Sequence, residues 1–377
     1  MTIPHVLMLV SNPVTYDPRV KSEAVSLAER DWRVTIVGWD RRSQFIPEEE
    51  ADHVKVLRLR NTGYMKLLPL DLLRLRPWWR SAYRRAAKLH RSDPFQVVHC
   101  HDLDTLPTGV RLKRKLGLHL VYDAHEIWPS MIAKDAPGLI VNHFFNLERR
   151  LMRHVDGLII AEERYRDYFE SIDAPKAVTV MNTKRLIGTE YEPPRNDVFT
   201  LLYIGTLTRA RFLPQLVDVC GQLEGVSLVI GGLGRLYDYL EKQCESYDNV
   251  EFIGSVPAEN VLPLTLQSDA VCCMVDPSVA NNRIATANKQ FEAMVCGRPI
   301  ICTKDTRSGE ITREENCGLV IDYTEDALRE AVMRLRDSPE FREELGRNAL
   351  EAAINKYNWE NEEKRLLELY EKTGVIR

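Results

Sequence analysis

No stretch of the 377 residues approaches about eighteen uninterrupted apolar positions, so no membrane-spanning helix is expected. The opening MTIPHVLMLVSN lacks a basic lead-in and has only a short apolar run before Asn12; it has the pattern of a first core strand, not of a signal peptide. The eight cysteines (Cys100, Cys220, Cys244, Cys272, Cys273, Cys296, Cys302 and Cys317) include no C-x-x-C pair, which argues against a zinc ribbon or a disulfide framework and for free, mostly buried thiols. Neither H-x-x-x-H nor H-E-x-x-H occurs, and no metal site is expected. A G-x-G-x-x-G fingerprint is missing as well. VIGGLGRLYDYL (229–240) sets Gly231, Gly232 and Gly234 between a strand and a helix but lacks the third, helix-side glycine, which disfavours a NAD site. With 44% hydrophobic and 28% charged residues, a cytoplasmic globular protein of two ordinary domains is expected.

Charge is distributed unevenly behind a net value of −4. Residues 1–182 hold 28 Lys+Arg against 23 Asp+Glu, whereas 183–377 hold 23 against 32. Eleven of the basic residues lie between Lys55 and Arg91, set against only Asp71 and, just beyond, Asp93. Within residues 64–91, arginines alternate with leucines, Trp78 and Trp79, a composition suited to an anionic membrane surface on the inner face of the cell membrane. A helix packed on its own domain with a solvated basic face has the same pattern, and both readings stand at this point.

Short apolar runs alternate with helical patterns, the signature of βαβ units and parallel sheets. Strands are expected at 6–11, 32–39, 54–60, 96–101, 119–125, 157–162 and 177–182, with a helix over 17–31 opened by Asp17 and Pro18. The aperiodic stretch 184–197, with Gly188 and Pro193-Pro194, reads as a linker. The alternation then restarts, with strands at 199–205, 226–232, 249–254, 269–275, 298–303 and 318–322. The expected organisation is a domain over 1–183, the linker, a second domain over 198–358, and a terminal helix over 359–377 that returns to the first domain. A cleft between the two domains is the default place for a site.

In parallel α/β sheets, ligands sit beyond the carboxyl ends of the strands. Gly205 ends a strand where backbone and ligand can approach closely, and Arg209 and Arg211 precede a helix whose N-terminus suits phosphate. On a helix starting near Asn288, Lys289 and Glu292 share a face. The cation suits a diphosphate and the carboxylate two ribose hydroxyls, although a plain salt bridge between them is the simpler possibility. HCHDLDTLP (99–107) and VYDAHEIW (121–128) follow adjacent strands, so His101, Asp102, His125 and Glu126 are expected to converge on the cleft.

In this order, SNPVTYDPRVKSEAVSLAERDWRVTIVG, VVHCHDLDTLPTG, LVYDAHEIWP, LLYIGTL, NVEFIGSVP and NKQFEAMVCGRPII resemble the retaining glycosyltransferases of family 4 across nearly the whole chain. The resemblance implies the GT-B fold, an α/β architecture of two Rossmann-like parallel-sheet domains facing across a cleft. It implies transfer of a hexose-type sugar from a UDP- or GDP-linked donor to a glycan or lipid-linked acceptor, with no cofactor, no metal and no nucleic-acid partner. His125, with Asp102 and Glu126, then belongs to the reacting face. Gly205, Thr206, Arg211, Gly254, Val256, Asn288, Lys289 and Glu292 belong to the donor, and Asp17, Arg19 and His101 to the acceptor side. Two departures stand out. The first glutamate of the family's E-x7-E motif is Ile284, and the arginine often found after the first donor-domain glycine is Thr206. A nucleotide-sugar 2-epimerase on the same fold and a weakened nucleotide-sugar-binding homologue are the rival readings.

Overall fold

The computed structural model describes residues 3–15, 17–68, 70–133 and 136–372, the side chain of Tyr64 excepted. Tyr16 of the quoted N-terminal motif, the Tyr64 side chain and Pro69 of the basic segment, and 373–377 of the expected terminal helix therefore lie outside the described residues. The chain divides into two units, one of Met1–Met181 with Glu362–Arg377 and the other of Asn182–Asn361.

In the first unit, strands β1 (His5–Leu9), β2 (Arg33–Asp40), β3 (Glu48–Ala51), β4 (Val54–Arg60), β5 (Val97–His101), β6 (His119–Ala124), β7 (Gly157–Ile160) and β8 (Ala177–Thr179) form one sheet in the order β3-β4-β2-β1-β5-β6-β7-β8. All pairings are parallel except β3 with β4. The central strands β1 and β5 are buried at every residue, as expected for a parallel sheet covered on both faces. The short β3 was not expected, because its Glu-Glu-Glu-Ala sequence has no strand propensity; pairing with β4 imposes the conformation.

The second unit holds β9 (Phe199–Thr206), β10 (Val226–Leu233), β11 (Val250–Gly254), β12 (Ala270–Cys273), β13 (Ile300–Thr303) and β14 (Gly318–Ile321). Their order is β11-β10-β9-β12-β13-β14, all parallel. This is the doubly wound arrangement, and its order reverses between β9 and β12, where such sheets open a ligand crevice. Lys184, in the expected linker, forms a parallel bridge to Asn358 of the same unit.

The basic segment becomes a short 3-10 turn, Gly63–Leu67, and a 22-residue helix, Asp71–Ser92. Trp78 is 1% exposed and stacks on Trp39 at 5.4 Å, while Trp79 donates through Nε1 to the Asp104 carbonyl at 2.5 Å. Trp78 is therefore a core residue, and Trp79 is half-buried and tied to a backbone carbonyl of its own unit: the helix turns its apolar stripe, Leu75, Trp78, Ala82 and Ala86, inward. All eight cysteines are free and buried. Among the described residues no helix is long and apolar enough to cross a membrane.

Candidate active site

β5 and β6 run in register, His101 beside Asp123, so the residues that follow them leave the sheet at one edge. Asp102 adopts φ 61°, a left-handed conformation that Asp tolerates better than most residues. Its amide donates to the Asp123 carbonyl at 2.8 Å, and its Oδ1 accepts from the His125 amide at 3.1 Å. Those two bonds tie the two strand ends together.

The Asp123 carboxylate is the hub of this edge. Its Oδ2 lies 2.8 Å from Arg19 Nε, 2.9 Å from His125 Nε2 and 3.1 Å from His101 Nδ1, and its Oδ1 lies 2.7 Å from Arg19 Nη2. Arg19 stands on the first turn of helix Pro18–Ala28, which Asp17 caps by accepting from the Val20 amide at 3.2 Å. Of the three residues expected on the acceptor side, Arg19 and His101 are buried in this network and Asp17 is half-buried at the start of the helix. Arg19 is 5% and His101 1% exposed, both aimed inward, because a bidentate guanidinium–carboxylate pair in a buried site is stronger than any solvent contact. Asp17 caps the start of the helix and accepts from Asn12 Nδ2 at 2.8 Å.

His125 has a carboxylate at each ring nitrogen, Asp123 at Nε2 and Asp102 Oδ2 at 3.6 Å from Nδ1. Burial opposes its charge, but Asp102 and Asp123 together outweigh that cost and raise its pKa to about 10. The imidazole is therefore a cation at neutral pH, its Nε2 donating to Asp123 while Nδ1 lies beyond hydrogen-bond distance of Asp102. Burial alone would raise Asp123, yet Arg19 and His125 hold it well below the usual carboxylate range. Asp102 is pushed by burial up to about 7, with His125 pulling the other way. Glu126 is half-buried beside this edge, and its negative charge adds to the upward push on Asp102.

Deeper in the unit, Glu23, His99, His101 and Asp123 bring ligand atoms within 4.8 Å of one another, a spacing a metal could use. Arg19 already fills that space with a permanent cation, paired with Glu23 at 3.0 Å and with Asp123. The donor set therefore fits an internal ion-pair network better than a metal. His99 Nδ1 lies 2.7 Å from Tyr370 Oη on the terminal helix Trp359–Lys372, and burial keeps its ring neutral. Glu23 and His99 lie within the quoted motifs and Tyr370 on the terminal helix expected to return to the first domain, but only the fold reveals that they meet behind His125.

In the second unit, Gly205 is the penultimate residue of β9 and Lys289 lies in the first turn of helix Asn288–Val295. The Lys289 ammonium lies 4.5 Å from the centre of the Tyr203 ring, and a Cβ on Gly205 would stand 3.0 Å from it. The glycine thus leaves room for a cation at the carboxyl edge of the central strand. The helix has no side-chain N-cap, so its first-turn amides accompany that cation. Arg211 is half-buried at the end of the 3-10 turn Arg209–Arg211, just before Phe212 at φ 59°. Thr206 is exposed, and its carbonyl accepts from Tyr203 Oη at 2.8 Å. Gly254 ends β11 at φ 67°, with Val256 half-buried two residues on; Asn288 is exposed at the helix start.

Glu292 pairs with Lys184 at 3.1 Å, while Lys289 pairs with an aromatic face. The simple Lys289–Glu292 salt bridge is therefore not what forms, and each group is held by a partner from elsewhere in the unit. Lys184 was missed because it lies in an aperiodic stretch, and Tyr203 because it reads as an ordinary strand residue. At the position of the missing motif glutamate, Ile284 ends the short helix Ala280–Ile284. Asn282 and Arg283 beside it bond the backbone carbonyls of Asp276 and Pro277, at 2.9 and 2.6 Å.

Two parallel α/β units, each with polar residues gathered at the carboxyl edge of its sheet, define the GT-B class of protein. Residues 16–183 match the glycosyl transferase 4-like domain and residues 190–352 the glycosyl transferases group 1 model, and the chain belongs to this family of glycosyltransferases. It is 24% identical over 306 residues to an uncharacterized glycosyltransferase of Methanocaldococcus jannaschii, covering 74% of this chain and 75% of that protein. The fold is similar to sucrose-phosphate synthase from Thermosynechococcus elongatus (TM-score 0.79, 17% identity, 99% of this chain and 100% of the other). It is also similar to Anabaena HepE in a complex with UDP-glucose (TM-score 0.71, 14% identity, 98% of this chain and 99% of the other).

Proposed function

We propose that this glycosyltransferase moves a hexose-type sugar from a UDP- or GDP-linked donor to a glycan or lipid-linked acceptor with retention of configuration, in polysaccharide, lipopolysaccharide or glycolipid assembly. The observation that carries the reading is Lys289, an ammonium beside Gly205 at the uncapped start of a helix, with Arg211 in the loop that follows the same strand. Breaking a sugar–phosphate bond gathers negative charge on the leaving diphosphate. Fixed cations and helix-end amides aimed at that charge stabilise the transition state by several kcal/mol. In this reading Lys289 and Arg211 hold the diphosphate without a metal, Glu292 takes the ribose hydroxyls, and backbone from Gly254 to Val256 meets the base. His125 acts at the reacting face as a cation and hydrogen-bond donor, not as a base. The leaving phosphate accepts the acceptor proton on the face it departs from, which gives retention. UDP is the favoured nucleotide, supported by the UDP-glucose complex of the similar Anabaena protein.

A thermal-shift panel of UDP-glucose, GDP-mannose and ADP-glucose tests the donor, because a ligand bound only by the folded state raises the midpoint. UDP-glucose is expected to raise it for the native chain and to lose most of that effect in Lys289→Ala. No shift with any nucleotide sugar would sink the proposal. A change in the sugar on incubation without an acceptor would favour an epimerase instead.

A further inference from the structure

Helix Asp71–Ser92 has a second face that neither the fold nor the transfer reaction uses. Arg76, Arg80, Arg84, Lys88 and Arg91 are all exposed. At about 100° per residue the four-residue steps from Arg76 to Lys88 sweep an arc of roughly 120°, and Arg91 falls inside it, making one cationic stripe about 22 Å long. Among the described residues none of the five has an ion-pair partner. The acids that could have neutralised them are engaged: Asp71 with Arg74 at 2.8 Å and Arg41 at 3.3 Å, Glu48 with Lys55 at 2.6 Å and Arg85 at 3.7 Å. Leu73 falls within the same arc and is 51% exposed; just before it, Leu70 is 60% and Leu67 83% exposed. Three bare leucines at one end of an unneutralised cationic stripe suit a surface that is anionic and has an apolar interior within reach.

We propose that this face docks the protein onto an anionic lipid bilayer, the arginines and Lys88 lying against phosphate headgroups and Leu67, Leu70 and Leu73 entering the headgroup–acyl boundary. Trp78 takes no part, since it is buried in the core, and half-buried Trp79 is held by its bond to the Asp104 carbonyl. Cations near an anionic membrane surface strengthen binding roughly additively, and buried leucine side chains add an apolar contribution that salt does not screen. The inference does not depend on which donor or acceptor the enzyme uses, so its failure leaves the transfer reading standing.

The test is co-sedimentation of the full chain with vesicles of phosphatidylcholine alone or mixed with phosphatidylglycerol, at low and high salt, with soluble heparin as competitor. Binding is expected to the mixed vesicles only and to weaken with salt. Reversal of two charges, Arg80→Glu with Arg84→Glu, is expected to lower it about a hundredfold or more. The triple variant Leu67→Ser, Leu70→Ser, Leu73→Ser keeps every charge and is expected to lower it at least about tenfold. These positions are exposed, so both variants should keep the native thermal midpoint. No binding to the mixed vesicles, equal binding to the neutral ones, or charge reversal without effect would overturn the proposal. Full binding by the leucine variant, with heparin displacing the protein from vesicles, would also overturn it and point to a soluble polyanion as the occupant.

Discussion

Replacing Asp123 by Asn should discharge His125. The Asp123 Oδ2–His125 Nε2 separation of 2.9 Å corresponds to about 6 kcal/mol of attraction at an effective dielectric of about 20, or roughly four pKa units. This exceeds the rise from 6.5 to about 10, as it must, because burial and the Arg19 cation work against the imidazolium. With Asp102 alone left to support the charge, His125 should titrate at or below its ordinary value. The assay is a long-range proton–nitrogen correlation on [15N]histidine-labelled protein followed from pH 5 to 11. In the native chain both His125 nitrogens should stay protonated through pH 9. A linked effect on stability follows. A folded-state pKa raised above the unfolded one adds stability that is fully present below pH 6.5, declines as the pH rises, and is gone above about 10. Urea midpoints of the native chain should fall between pH 7 and 10 by more than those of Asp123→Asn. Because that substitution also leaves Arg19 buried with Glu23 as its main partner, a destabilisation of about 3–5 kcal/mol accompanies it. Asp102→Asn, which leaves the Arg19 pair whole, should lower the His125 pKa by a smaller step. A native His125 titrating near 6.5, or one unmoved by both substitutions, would refute the reasoning.

Gly232 bears on the other unit. A Cβ there would stand 1.8 Å from the Gly205 carbonyl oxygen, and its φ of 140° is unfavourable for other residues, so Gly232→Ala should cost about 3 kcal/mol or more in urea unfolding. Gly188→Ala, which meets nothing within 4 Å, should change stability by less than about 0.5 kcal/mol in the same measurement. Tyr370→Phe removes the hydroxyl 2.7 Å from His99 Nδ1 inside the first unit and should cost about 1–2 kcal/mol by chemical denaturation, leaving UDP-glucose binding unchanged.

Strand positions were legible because a strand covered on both faces must be an apolar run, and HVLML, QVVHCH and GLIIA announce themselves by that rule. β3 was not legible, since its only cause is the neighbour it pairs with. The same distinction separates the parts of the site. Gly205, Lys289 and His125 could be picked out because each follows a strand or opens a helix, and strand-end chemistry is local in sequence. What each one touches was beyond reach, because those contacts join residues far apart: Arg19 to Asp123, Lys184 to Glu292, Tyr370 to His99. Spacing of three on a helix suggested Lys289 with Glu292, yet such a pair stabilises an isolated helix by only a few tenths of a kcal/mol. Partners fixed by the fold, an aromatic face for one and a lysine for the other, easily outweigh it. The inward turn of Arg19 has the same origin. A basic residue two places after a helix cap reads as surface, but once the fold buries the Asp123 carboxylate an unpaired charge there would cost several kcal/mol, and Arg19 is the cation within reach. The electrostatics of His125 therefore follow from the topology that brings β1, β5 and β6 together and only secondarily from the D-A-H-E motif that carries it.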